Sequence, residues 1–229
     1  MRGRSLVFVV CALLLLALVP LPAMGLTYFA GAIQTWSNGN QVTGAYGVSG
    51  TLRAYAKPST GTRVNSIYVR DPVFPNTWLV EVGWTATGSS PVPSSLPANH
   101  DPWLFAARIS NGDYYPADYF TSPFTVDGWT NVSLSRFGDN DWRVNYKGAQ
   151  VGSFWDNITM GTPWVGEERS NTSMDGRASM QWMKLQLSDG TWDDWWYMEV
   201  KETDGSYTWW DNHLQDSNHH IYADDHQNP

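Results

Sequence analysis

From Gly44 onward the chain keeps no 3.6-residue apolar period over any useful length. It breaks instead into short runs rich in β-branched and aromatic residues, separated by Gly, Pro, Asn and Asp. That pattern admits strands and excludes long amphipathic helices. The expected strands are residues 50–56, 64–70, 77–85, 103–109, 131–137, 141–146, 150–155, 162–169, 179–187, 192–201 and 206–210. Several alternate cleanly: Trp142, Val144 and Tyr146 fall on one face, Arg143 and Asn145 on the other. Asp139-Asn140-Asp141, Lys147-Gly148, Asp189-Gly190 and Asp204-Gly205 carry hairpin-type turn chemistry between them. Many short strands at regular spacing predict an all-β fold, an antiparallel two-sheet β-sandwich of jelly-roll-like kind. No shift in composition divides residues 26–211, so they read as one domain. Residues 88–102, rich in Pro and Ser, are expected to form a surface crossover.

The first 25 residues read as a secretory signal peptide. Arg2 and Arg4 precede an apolar run, residues 6–19, which ends at Pro20 and Pro22 before the small residues Ala23 and Gly25. The run is too short for a spanning helix, so cleavage after Gly25 and export are expected, with no membrane attachment afterwards. The single cysteine, Cys11, lies in this leader. The remaining chain therefore has no disulfide, thiolate metal site or cysteine nucleophile, and its stability must come from its core.

Taking Arg2 and Arg4 from the 14 basic side chains leaves twelve against 22 acidic ones, so the formal charge goes from −8 to −10. With no cluster of Lys or Arg, nucleic acid is not an expected partner. Four of the five histidines, His213, His219, His220 and His226, fall in residues 212–229 beside Asp224 and Asp225. That stretch reads as a polar, frayed tail, with neither metal nor cofactor expected. Asn131, Asn157 and Asn171 each begin an Asn-x-Ser/Thr acceptor for N-linked glycan. The 14 tryptophans supply core, and some of them an aromatic groove.

The chemistry the sequence offers is that of carboxylates. It contains no H-E-x-x-H and no G-x-S-x-G, and His100-Asp101 adjoins no nucleophile by spacing and reads as a solvated loop histidine. Of only five glutamates, Glu81 and Glu167 sit in strand-like contexts of Trp and Gly: Trp78-Leu79-Val80-Glu81-Val82-Gly83-Trp84 and Trp164-Val165-Gly166-Glu167. In the first, Trp78, Val80, Val82 and Trp84 share one face; Glu81 and Gly83 share the other, where the glycine leaves open space. A mid-strand glutamate is also what a solvated outer face carries. If the two strands are neighbours, however, the carboxyls converge, one pKa rises, and the pair holds a single proton. Such a pair hydrolyses an amide through water; at wider spacing it cleaves a glycosidic bond. Glu168 faces the other way from Glu167, so a shift of one residue in register exchanges their roles.

An ordered series of segments resembles the neprosin (DUF239-type) domain. It comprises Tyr46-Gly47-Val48-Ser49-Gly50-Thr51-Leu52, Ala56-Lys57-Pro58, Val80-Glu81-Val82-Gly83-Trp84 and Phe105 to Tyr115, the last similar to a strand followed by a Gly/Tyr-rich loop. Trp142 to Trp155, Trp164-Val165-Gly166-Glu167 and Ser173-Met174-Asp175-Gly176 continue it. The resemblance implies a two-sheet antiparallel fold and a secreted glutamic peptidase. It further implies activity at acidic pH on peptides or proteins, including proline-rich ones, with cleavage after proline and Glu81 and Glu167 as the catalytic pair. Trp103 and Trp164 are the suggested groove walls. Val165 stands where the family has glycine, and the cysteines of plant relatives are absent. Two other readings remain open: a non-catalytic secreted sandwich binding glycan or protein through exposed aromatics, and a glycosidase on a similar fold.

Overall fold

The computed structural model describes residues 28–73, 78–89, 99–170, 177–203, 210–213 and 220–224. The leader, the Ser173–Gly176 turn, most of the 88–102 connection and His219, Asp225 and His226 lie outside them. The described residues form strands and no helices, arranged as two antiparallel sheets. One sheet runs in the order β13 (Met198–Thr203), β1 (Tyr28–Gln34), β10 (Thr162–Arg169), β3 (Thr62–Arg70), β4 (Trp78–Thr87), β5 (His100–Ser110), β6 (Asp113–Pro123). We call it sheet A. The other, sheet B, runs β14 (Trp210–His213), β15 (His220–Asp224), β11 (Arg177–Gln186), β2 (Gly47–Arg53), β7 (Trp129–Phe137), β8 (Asp141–Tyr146), β9 (Ala149–Trp155), with β12 (Trp192–Asp194) also on β11. The two-sheet antiparallel sandwich expected from the sequence is the fold observed.

Hairpin chemistry sets the short connections. Lys147 and Gly148 both have positive φ (52° and 79°) between β8 and β9, as a two-residue primed turn requires. Asn111 and Gly112 do the same between β5 and β6 (56° and 83°). At Asp189-Gly190 the Asp189 carboxylate accepts from the Thr191 N–H at 2.9 Å, closing the turn from β11 to β12.

Four expectations change. β1 lies upstream of the first expected strand. β6 occupies the expected Gly/Tyr-rich loop, and its prolines are tolerated because it ends the sheet. The single expected strand 192–201 is two, β12 and β13, on different sheets. The expected tail contributes β15, which pairs along β11 from Arg177–Asp224 to Met180–Ile221, with Ile221 in the core.

The main core fills the space between the sheets. Val80, Val82 and Trp84 of β4 meet Val132 and Leu134 of β7 and Trp142 of β8 in it. Trp84, Trp142 and Trp195 are fully buried, and two of them have their indole N–H groups satisfied. Trp84 Nε1 donates to Arg53 O and Trp142 Nε1 to Ile158 O, both at 3.0 Å. Sheet A has a second cluster on its outer face: Ile33, Tyr68, Leu79, Phe105, Ile109 and Trp164. Strands β3 and β10 are accordingly buried along their whole length.

Gly83 lies close against the backbone of β3. A Cβ there would stand 2.1 Å from Asn65 O and 2.7 Å from Ser66 Cα, both backbone atoms, whereas one at Gly44 would meet nothing within 4 Å. Gly83→Ala should therefore cost about 2 kcal/mol or more, and Gly44→Ala about 0.5 kcal/mol or less. Urea unfolding of the two variants checks the difference; equal midpoints would contradict the pairing of β3 with β4.

Candidate active site

Strand β3 decides which side chains meet. On β4 it sets Tyr68 opposite Glu81 and Asn65 opposite Trp84. On β10 it sets Tyr68 opposite Trp164 and Asn65 opposite Glu167. Directly opposed residues share a face, whereas positions 65 and 68, an odd number apart, face opposite ways. Glu81 therefore stands on the outer face of sheet A with Tyr68 and Trp164. Glu167 stands on the inner face with Asn65 and Trp84. The expected pair, Glu81 and Glu167, is not brought together: two registers, each unambiguous, put its members on opposite sides of one sheet.

The acid on Glu81's face is Glu168. It lies opposite Val64, which lies opposite Thr85. Between the row Glu81–Tyr68–Trp164 and the row Thr85–Val64–Glu168 runs a row of small residues: Gly83, Ser66, Gly166 and Gly31 across β4, β3, β10 and β1. Those glycines and one serine form a row of small side chains between two banks of larger ones, and all four are buried. Glu81 and Glu168 stand on opposite banks. Their Cα atoms are two strands and four residues apart, about 10 Å across and about 13 Å along the sheet at ordinary strand spacing.

Burial controls the acid on the first bank. Glu81 is 1% exposed, and burial pushes its carboxyl from 4.5 up to about 7, partly offset by a hydrogen bond from the Ser66 hydroxyl. Its Oε2 is buried without a hydrogen-bond partner among the described residues, so one oxygen is held from that row and the other is not. Beside it the Tyr68 and Trp164 rings stack at 5.8 Å, and the Arg70 guanidinium lies 4.9 Å from the Trp164 ring. Both tryptophans suggested as walls are on this face, Trp164 beside Glu81 and Trp103 opposite Thr85.

His100 is not the solvated loop residue the sequence suggests. It opens β5, is buried, and stacks on Trp103 at 4.3 Å. Burial is the main reason its pKa is lowered, against a hydrogen bond at 2.7 Å between Nδ1 and the Asp101 carbonyl. Glu167, on the inner face, has Asn65 opposite and the directly paired Arg63 and Arg169 in the next row on that face. All four side chains are buried. A carboxylate set beside two arginines inside a sandwich suits a structural counter-charge. Ser66 was not singled out by the sequence; its only signal is a small polar residue in mid-strand opposite Gly83.

No family model and no curated protein matches the chain. Solved structures do. Scytalido-glutamic peptidase, crystallised with a peptide-based transition-state analog, aligns at TM-score 0.54 and 13% identity over 86% of this chain and 97% of that one. SCP-B, a peptidase of the eqolisin family in complex with the tripeptide Ala-Ile-His, aligns at 0.53 and 11% over the same shares. The fold is that of the glutamic peptidases.

A carboxyl raised from 4.5 to about 7 binds a proton that the unfolded chain has lost. Its contribution is complete below about pH 4.5 and falls as pH rises through 7, by about 3 kcal/mol in all. Glu81→Gln, which copies the protonated form, should match the native protein in stability at pH 4 and exceed it at pH 8 by up to about that amount. Thermal or urea unfolding at the two pH values measures this; a difference that does not grow with pH would contradict the burial of Glu81.

Proposed function

We propose that this chain is an exported peptidase of the glutamic kind, hydrolysing peptide bonds at acidic pH with Glu81 as the proton donor. The observation that carries the reading is a buried carboxyl with a raised pKa on the bank of a small-residue trough, in a fold shared with glutamic peptidases. At pH 3–5 such an acid holds its proton in nearly every molecule.

The chain's own groups allow the following sequence. Glu81 gives its proton to the carbonyl oxygen of a peptide lying along the row of small residues, raising the electrophilicity of the carbon. Glu168, acting as the base on the opposite bank, takes a proton from water as the water oxygen bonds to that carbon. In the collapse of the tetrahedral intermediate the amine leaves with the proton from Glu168, and Glu81 recovers its own as the carbonyl re-forms. Ser66 positions the Glu81 carboxyl by donating to one oxygen. The separation of the two acids leaves room for substrate and water between them, so the acid and base act from opposite sides. The preference for cleavage after proline, implied by the neprosin-like motifs, is part of the proposal. The leader-like first 25 residues support export.

The test is cleavage of a proline-rich peptide at about pH 3–5. Glu81→Gln and Glu168→Gln should each lower kcat/KM by about 10²-fold or more, whereas Glu167→Gln, checked for folding by circular dichroism, should retain activity. Loss with Glu167→Gln and retention with Glu168→Gln would overturn the assignment of the base. Release of reducing sugar from a polysaccharide panel, with no peptide cleaved, would replace the peptidase by a glycosidase.

A further inference from the structure

Exposed Trp129, Phe137, Trp155 and Trp192 belong to sheet B, not to the sheet that carries Glu81. Sheet B turns toward solvent a face defined by the registers across β11, β2, β7, β8 and β9, which shift once between Gln181 and Lys184 and once between Val144 and Asn145. One row across it reads Gln186, Gly47, Ser135, Arg143, Ser153. The next reads Lys184, Ser49, Ser133, Asn145, Gln150. A third adds Gln181, Thr51 and Asn131. The centre of the face is thus a field of hydroxyls and amides, each able both to donate and to accept. Most of these side chains are half-exposed, as a solvated but orderly surface requires.

Aromatics stand around this field and, at Trp182 in the β11 bulge between Gln181 and Lys184, within it. Phe137 and Trp155 flank Asp141 at one end, and Trp129 stands opposite Arg53 at the other. Trp192 closes the side at β12 through its pairing with Gln186. Trp155 and Phe137 are each 57% exposed, Trp129 38% and Trp192 37%. From Trp129 to Phe137 along β7 the distance is about 27 Å, and from β12 to β9 about 24 Å, at ordinary strand spacing.

Charge on this face is cancelled locally. Lys184 pairs with Asp194 at 2.9 Å, Arg143 with Asp141 at 3.5 Å and Arg53 with Asp127 at 3.5 Å. A chain with a formal charge of −8 thus presents a nearly neutral platform here.

We infer that this face binds a neutral polysaccharide chain. Sugar rings present equatorial hydroxyls, which need many donors and acceptors with no net charge, and C–H faces, which pack on aromatic rings. A protein-docking surface has the reverse layout, with an apolar centre inside a polar rim. An anionic polymer would be repelled by the acidic chain and would find Arg53, Arg143 and Lys184 each already paired with a carboxylate. The glycan and peptidase readings, rivals at the level of sequence, thus occupy opposite sheets, and the face on sheet B acts as a tether for a protein whose chemistry lies on sheet A. The inference does not rest on the peptidase reading.

The test uses protein made in bacteria, so that Asn131 carries no glycan. Native gels cast with soluble neutral polysaccharides (a mixed-linkage β-glucan, a xyloglucan, a galactomannan) are compared with gels containing an anionic pectin. Migration should be retarded by at least one neutral polymer and not by pectin. Trp155→Ala and Trp192→Ala should each weaken the retardation at least tenfold in apparent affinity. Trp36→Ala, an exposed tryptophan just after β1 on sheet A, should leave it unchanged. Retardation by no neutral polymer, by pectin as strongly, or equally in all variants would overturn the inference. Peptide cleavage measured on the same variants is expected to stay constant, so failure of one reading is distinguishable from failure of the other.

Discussion

Everything about the candidate site depends on how β3 is hydrogen-bonded on its two edges. With Tyr68 held opposite both Glu81 and Trp164, the outer face of three strands is fixed at once, and Asn65 fixes the inner one. The register is pinned by packing. Ala32, Ile67, Val82 and Val165 fill the inter-sheet core, while Ile33, Tyr68 and Trp164 fill the outer cluster. Sliding β10 by one residue would move the Trp164 indole into the space of Val165 and bring Val165 out, costing several kcal/mol of misfit and exposure. The exchange of Glu167 for Glu168 is therefore a consequence of where the apolar residues on either side of them can be housed.

Burial of sheet A on both faces supplies the chemistry. A carboxyl in a solvated sheet face would titrate as in a peptide, with nothing to hold a proton near neutrality. Here the outer cluster excludes water around Glu81, and Ser66 offsets only part of that effect. Asp156 shows a related balance at the end of β9. Burial raises its pKa, and the Ile158 N–H at 3.0 Å, the Ser110 hydroxyl and Arg108 pull it back. Because Asp156 is held by a loop amide and by groups at the end of β5, it fastens β9 to the opposite sheet. The two buried acids thus differ in surroundings: Glu81 borders glycines, and Asp156 sits among the Ile158 N–H, Ser110 and Arg108.

Alternation within a strand was legible in the sequence, and with it the sandwich, the separation of Glu81 from Trp84 and the opposite facing of Glu167 and Glu168. Neighbourhood was not. Nothing in Val64 to Arg70 announces that it lies between the two glutamate strands, since pairing partners are set by tertiary packing and not by local periodicity. β15 escaped notice because its histidines and aspartates outweigh Ile221, the one side chain that anchors it in the core. β6 escaped because prolines argue against a central strand and say nothing of an edge. The Asn111-Gly112 turn was a signal available in the sequence, strong enough to have paired residues 100–110 with 113–123. The tryptophans were readable as a class but not one by one. Trp84, Trp142 and Trp195 carry no mark that separates them from exposed Trp129, Trp155 and Trp192, apart from their parity once the face is known.

The two outer faces of the sandwich obey opposite demands, which is why one chain can carry both. An acid that keeps its proton to pH 7 needs a dry surround, and a surface that exchanges hydrogen bonds with water for those of a sugar must stay wet. Placing both on one sheet would force a compromise, because hydroxyls and amides close to Glu81 would solvate its ionised form and return its pKa to the ordinary range. A core about 10 Å thick between the sheets removes the conflict. Side chains that face away from each other across that core share no partner, so changes on the Trp155 side and on the Glu81 side should be additive. The same core explains the position of Glu167. Glu167 faces inward beside the paired Arg63 and Arg169, and the face on which it stands bars it from the trough one residue away.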